Sequence, residues 1–388
     1  MTLSGNWNYP TAIRFGAGRL AELPALCAQA GLKRPLVVTD PGLAASPLMA
    51  RVTAALGDTP HGVFSDMRPN PVGRDVDAGV HALRAGGHDG VIAFGGGSAL
   101  DVGKAIALMS GQDRPMWDLE DVGDNWLRVK ESGVAPSLAI PTTAGTGSEV
   151  GRASLIIDEA SQRKVILFHP LMLPKLVLAD PELTLGLPPH ITAATGIDAF
   201  VHNFEAYCSP FYHPMAQGVA LEGMRLIHEF LPQAVRQGSD ITARSQMLAA
   251  SMMGATAFQK GLGGVHALSH AVGAMFNVHH GLANAVLLPY VMWRNRSAIA
   301  DRLVPVARYL GLPQPSFEAL LDWVLALRRD LGIAHSLGEL GLDDAQAAAV
   351  AAKAKQDPSD GGNPLTLTVA DYRQLYLDAL AGRVGYGD

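Results

Sequence analysis

The sequence predicts two domains of different class, an α/β domain with a mostly parallel sheet over residues 1–185 and an all-α domain over residues 186–388. Three observations predict it. At 388 residues the chain exceeds the roughly 100–200 residues of one domain, and its 48% hydrophobic content supplies more than one core. In the first half, short continuous apolar runs end in loops and alternate with helical stretches. Strands buried on both faces of a parallel sheet read that way. After Pro188-Pro189 the apolar period changes to three and four residues, and no convincing strand run follows.

Asn6 to Gly16 reads as an added strand or hairpin. Pro35 to Asp40 is a β-branched run that stops at Pro41-Gly42. Gly90 to Phe94 is the next strand and runs into Gly95-Gly96-Gly97, with a helical stretch, Ala99 to Met109, behind it. Leu138 to Ile140 ends at Pro141-Thr142-Thr143, and Lys175 to Asp180 is the fourth such run. In the second half, Ala220, Met224, Ile227 and Leu231 step by 4, 3 and 4 behind Pro214, a residue suited to a first helical turn. Phe317 to Leu331 is a further amphipathic helix after Pro315-Ser316, and the alanine-rich Ala347 to Ala354 reads as a plain helix. Thr368-Val369-Ala370-Asp371 resembles a capping box before a last helix.

Composition excludes several classes. With 48% hydrophobic and 17% charged residues the chain is not disordered. Its net charge of −6 and the lack of a basic tract interleaved with aromatics argue against a nucleic-acid partner. The apolar stretch Ala285 to Trp293 contains Pro289 and is far shorter than the roughly 20 residues of a membrane span. Met1 to Pro10 has neither a basic start nor an apolar core, so no secretory signal is expected. Two cysteines, Cys27 and Cys208, fit a reducing, cytoplasmic setting.

Two loops at strand ends have the chemistry of nucleotide recognition. Gly95-Gly96-Gly97-Ser98-Ala99-Leu100-Asp101 sits where an apolar strand meets a helix. Glycines there let the backbone approach a pyrophosphate, and the helix start offers N–H groups and partial positive charge. It is neither the usual dinucleotide fingerprint, since Leu100 takes the third glycine's place, nor a Walker A loop. The loop from Pro141 to Glu149 adds the hydroxyls of Thr142, Thr143, Thr146 and Ser148. Asp40, ending a strand, is placed either to accept from a ribose hydroxyl, favouring NAD over NADP, or simply to start a turn.

The second half holds an imidazole and carboxylate constellation. Asp198 and His202 stand four residues apart, as do His266 and His270, and His279 and His280 follow. Four-residue spacing on a helix puts both side chains on one face. Ligands converging from several elements would hold Fe(II), Zn(II), Co(II) or Mn(II). His279 and His280 point different ways, so only one of them is expected to ligate.

Together these motifs, with Gly196-Ile197-Asp198-Ala199-x-x-His202-x-x-Glu205-Ala206-Tyr207 and His280-Gly281-x-x-Asn284-Ala285-x-x-Leu288-Pro289, resemble the iron-containing (group III) alcohol dehydrogenases from about Arg14 to Asn363-Pro364. The resemblance implies a Rossmann-like dinucleotide-binding domain followed by a helical metal-binding domain, the dehydroquinate synthase-like architecture, with the active site in the cleft between them. It implies Asp198, His202, His266 and His280 as metal ligands and His270 as a non-ligating histidine near the substrate. Cofactor contacts would come from Asp40, Asn70, Gly96, Gly97, Ser98, Asp101, Thr142, Thr143, Thr146 and Lys164. A homodimer is the family's usual assembly. Phe200, Val201, Asn203 and Phe204 depart from the family's commonest pattern and put substrate size and polarity in question. The His279-His280 doublet resembles the branch containing 4-hydroxybutyrate dehydrogenases.

The expected activity is metal-dependent, NAD-linked hydride transfer on a small primary alcohol or hydroxy acid, with Fe(II), or Zn(II) or another divalent ion, polarising the substrate oxygen. His270 is the candidate proton relay, against a plain supporting hydrogen bond. A polyol dehydrogenase or a hydroxyacid–oxoacid transhydrogenase of the same superfamily, and a metal-dependent phosphohydrolase, are the competing readings. Arg152 is a candidate for a substrate carboxylate, or a surface residue.

Overall fold

The computed structural model describes residues 11–385. Of the strand or hairpin expected over Asn6 to Gly16, the part up to residue 10 lies outside the described residues. The chain divides into two compact units, one of residues 11–143 and 147–186, the other of residues 144–146 and 187–385 among those described.

The first unit is built on β1 (Ala12–Phe15), α1 (Leu23–Ala30), β2 (Leu36–Val38), α2 (Pro41–Ala44), α3 (Pro47–Leu56), β3 (Gly62–Phe64), α4 (Gly73–Ala85), β4 (Val91–Gly95), α5 (Gly97–Met109), β5 (Ser137–Pro141), β6 (Ala153–Asp158), β7 (Arg163–Phe168) and β8 (Leu176–Ala179). Six strands form one sheet in the order β1-β8-β5-β4-β2-β3, and every pair in it is parallel. Strands β2, β4, β5 and β8 are buried at every position, which is why they read as unbroken apolar runs. Val37, Ile92, Phe94, Leu138, Ile140, Leu176 and Leu178 share a core with Leu23, Leu26, Val52 and Leu56 of α1 and α3.

The strand order reverses between β2 and β4. A crevice opens at such a switch point, outside the carboxyl ends of the strands. The β2 end carries Asp40, and the β4 end carries the glycine loop. An added Cβ on Gly95 would stand 3.7 Å from Asp40 Oδ2. The antiparallel pair β6-β7 forms a separate ribbon, with β6 against α5. Arg152, half-buried at its start, lies over the Phe168 ring at 5.2 Å.

The second unit is helical: α6 (Pro189–Cys208), α7 (Pro214–Arg236), α8 (Ile241–Ala257), α9 (Gly264–Phe276), α10 (His280–Tyr309), α11 (Phe317–Asp330), α12 (Ala347–Gln356) and α13 (Val369–Ala381). Helix α6 is buried over most of its circumference and packs on α7, α8 and α10. Ala220, Met224, Ile227 and Leu231 form the buried stripe of α7, with Pro214 in its first turn. Ser316 caps α11, and Thr368 and Asp371 close a capping box on α13. Among the described residues, no helix is long and apolar enough to cross a membrane.

The departures at Phe200, Val201, Asn203 and Phe204 are packing positions of α6, all buried. Phe200 stacks on Phe204 at 6.1 Å and tilts against Trp323 at 5.1 Å.

Candidate functional site

Helix α6 turns Asp198, His202 and Glu205 to one face. Helix α9 supplies His266 and His270, and α10 begins at His280. One ligand atom each from Asp198, His202, His266 and His280 gathers within 4.8 Å of the others. Asp198, His202 and His266 are buried and His280 is half-buried. One carboxylate and three imidazoles form a nitrogen and oxygen donor set suited to a divalent transition metal. Burial pushes His202 down to about 4, with His266 acting in the same sense against Asp198, Glu205 and the Gly145 backbone. The imidazole is therefore neutral near pH 7, the form that ligates. Its Nδ1 is a buried atom with no hydrogen-bond partner. The residues fit a metal.

Side chains outside this set hold it in place. Asn284 Nδ2 donates to Asp198 Oδ1 at 2.6 Å and lies 3.2 Å from Nε2 of both His266 and His280. Glu205 Oε2 accepts from His266 Nδ1 at 2.7 Å. A carboxylate can only accept here, so Nδ1 carries the proton and Nε2 keeps its lone pair. His266 Nε2 is 4.0 Å from Asp198 Oδ1, and His280 Nε2 is 3.7 Å from it. His270 Nδ1 donates to Asp357 Oδ2 at 2.8 Å. Burial opposes the Asp357 charge, but His270 and the Ser359 hydrogen bonds hold its carboxyl below the usual range. The His270 ring stacks on His280 at 5.3 Å. His279 stands outside the cluster and caps α10, its Nδ1 accepting from Leu282 N at 3.3 Å.

Sequence reasoning missed Glu205, Asn284 and Asp357 as parts of this site. The first two had a signal: Glu205 is three residues after His202, and Asn284 four after His280, on the same helical faces. Asp357 had none, since it lies 87 residues from His270.

At the β4 end, Gly95 has φ +147°, and an added Cβ would come 2.8 Å from that of Ala99. Gly96 starts α5 without a side-chain cap, and a Cβ there would meet Thr143 Cγ2 at 3.2 Å. The helix start and the two glycines form a cradle open to a phosphate's approach. Ser98 Oγ donates to the Pro69 carbonyl. Thr142 is buried; Asn70, Gly97, Thr143 and Lys164 are half-buried. Thr146 counts with the helical unit. Asp40 Oδ1 accepts from Leu43 N at 2.9 Å, so one oxygen starts the α2 turn. Asp101 bonds inward, to Ser148 Oγ at 2.5 Å and Leu155 N at 3.1 Å, with Lys104 Nζ 3.5 Å away. Lys104, fully buried, also donates to the Ser148 and Ala153 carbonyls.

The profile of the iron-containing alcohol dehydrogenases matches residues 10–181, and that of the family's C-terminal domain matches residues 192–380. The chain belongs to this family. As an iron-containing alcohol dehydrogenase it is 36% identical, over 95% of its length and 97% of the relative's, to a 4-hydroxybutyrate dehydrogenase of Cupriavidus necator. Among solved structures this dehydrogenase resembles a 1,3-propanediol oxidoreductase, with TM-score 0.91, 30% identity and coverage of 96% of this chain and 99% of that one. It also resembles the sulfoacetaldehyde reductase of Bifidobacterium kashiwanohense, solved in complex with NAD+, with TM-score 0.87, 30% identity and coverage of 97% and 100%.

Proposed function

We propose that the chain interconverts a small primary alcohol or hydroxy acid, of the 4-hydroxybutyrate kind, and its aldehyde, with NAD(H) as cofactor and Fe(II) or another divalent metal. The observation that carries the reading is the buried convergence of Asp198, His202, His266 and His280. These four would hold the ion, which when bound supplies Lewis-acid polarisation of the substrate oxygen. The α5 start, with Gly96, Gly97 and Ser98, would bind the pyrophosphate, backed by Thr142, Thr143, Thr146, Asn70 and Lys164. Asp40 Oδ2 would accept from the adenosine ribose. Asp101 holds the hydroxyl loop from behind through Ser148. His270, its Nδ1–H held by Asp357, presents Nε2 as the atom that takes up or returns the hydroxyl proton. Residues 1–185 act as the dinucleotide domain and residues 186–388 as the metal domain of a cytoplasmic homodimer.

The test follows absorbance at 340 nm with NAD, anaerobically loaded Fe(II) or Zn(II) protein and chelated controls, against ethanol, 1,2-propanediol, glycerol and 4-hydroxybutyrate. Metal-dependent NADH formation with 4-hydroxybutyrate or a simple primary alcohol is expected. Asp198→Ala and His202→Ala should each abolish metal retention and activity together. Full activity in a metal-free variant would overturn the reading. Preference for glycerol would move it to a polyol dehydrogenase, and exchange between hydroxy and oxo acids without net NADH to a transhydrogenase.

A further inference from the structure

We infer that Glu205 is a positioning residue for the metal. One carboxylate fixes the tautomer of His266 and the first turn of the helix that carries it. The inference rests on the metal reading above. Glu205 Oε2 accepts from His266 Nδ1 at 2.7 Å and from Gly263 N at 2.9 Å, while Oε1 accepts from Val265 N at 2.7 Å. The side chain is 5% exposed, so water does not compete for these bonds. It comes from α6, three residues beyond His202, and reaches the N-terminus of α9. Another N–H of that turn, on Gly264, donates to Asn363 Oδ1 at 3.0 Å.

Two consequences follow from the chemistry. An Nδ1–H pinned by a carboxylate leaves Nε2 as the only lone pair His266 can offer, and an ionised partner makes that lone pair more basic. The capping bonds also tie the helix backbone to the same carboxylate, so the His266 ring and its Cα are held by one group. A bare helix cap would do only the second. An added Cβ on Gly263 would stand 2.9 Å from Glu205 Oε1, so the close approach depends on glycine there.

Glu205→Gln keeps the size and one acceptor oxygen but loses the charge. Its Zn(II) affinity, measured against a chelating dye, should fall about 10–100-fold, with the metal-free far-UV circular dichroism unchanged. Asn363→Ala removes the other bond to the same helical turn without touching His266, and should lower thermal stability while leaving Zn(II) affinity at the wild-type value. Wild-type affinity in Glu205→Gln, or an equal loss in Asn363→Ala, overturns the inference. Should Glu205→Gln fail to fold, the Zn(II)-loaded wild type still decides. Long-range ¹H–¹⁵N spectra should show His266 protonated at Nδ1, and a proton on Nε2 overturns the inference. Failure of the wild type to bind Zn(II), or binding that survives Asp198→Ala and His202→Ala, would instead overturn the metal reading itself.

Discussion

Asp40 caps a helix and, on the proposed function, would also meet the cofactor. Its Oδ1 caps α2 through Leu43 N, and Oδ2 remains at the β2 end, on the glycine-loop side. A carboxylate there repels a 2′-phosphate and accepts from a ribose hydroxyl. Asp40→Gly should therefore raise relative use of NADP, read as the ratio of kcat/KM for NADP and NAD. It should also cost a few tenths of a kcal/mol of stability, because glycine is itself a tolerated cap. An unchanged ratio would leave Asp40 as a turn residue only. The turn was legible in the sequence, because a strand ending in Asp-Pro-Gly announces one. Asp198 and His202 were legible for a different reason, their four-residue spacing. Asp357 was not, since the bond to His270 depends on how the C-terminal segment returns to α9, and no local pattern encodes that return.

At the scale of helices, Asn203 explains two glycines that sequence reading left unused. It is fully buried in α6, and its Nδ2 donates to Ala199 O at 2.8 Å and Ala250 O at 3.1 Å, the latter on α8. Cβ atoms added to Gly223 of α7 and Gly254 of α8 would come 2.2 Å from Asn203 Oδ1 and 2.8 Å from Nδ2. The amide is wedged where three helices meet, one residue from His202. Gly223→Ala should then destabilise by roughly 1–3 kcal/mol through overpacking, measured by urea unfolding. A neutral or stabilising effect, as expected of Gly→Ala on an open helix face, would contradict this packing. The helices themselves were readable because their apolar stripes and caps are local. Strand β3 was not, since three residues at a sheet edge carry too little pattern. The β6-β7 ribbon was missed although Leu155 to Ile157 and Val165 to Phe168 are apolar runs, because nothing local says that the two pair with each other outside the main sheet. Its place against α5 is set by tertiary bonds such as Leu155 N to Asp101.

For the whole molecule, the pH dependence of stability contains a contribution from a buried carboxyl that is not among the metal ligands. Glu149 is 1% exposed, and its Oε1 has no hydrogen-bond partner. Burial pushes its carboxyl from 4.5 up to about 7, against its own backbone N–H and the Lys104 ammonium. The unfolded chain releases this proton near 4.5, while the folded chain holds it until about 7. Between those values the folded state binds more protons, so folding weakens as pH rises. The contribution is complete below 4.5, is lost as pH climbs through 7, and amounts to about 3 kcal/mol at roughly 1.4 kcal/mol per unit. Glu149→Gln keeps the size and cannot ionise. In urea unfolding of the chelated protein, its stability relative to wild type should rise by about 2.5 kcal/mol between pH 5 and pH 8. Contributions common to both proteins cancel from the difference. Parallel curves would mean that the Lys104 ammonium keeps Glu149 ionised across the range. The lysine, Asp101 and Glu149 would then form a charged brace behind the glycine loop rather than a buried acid.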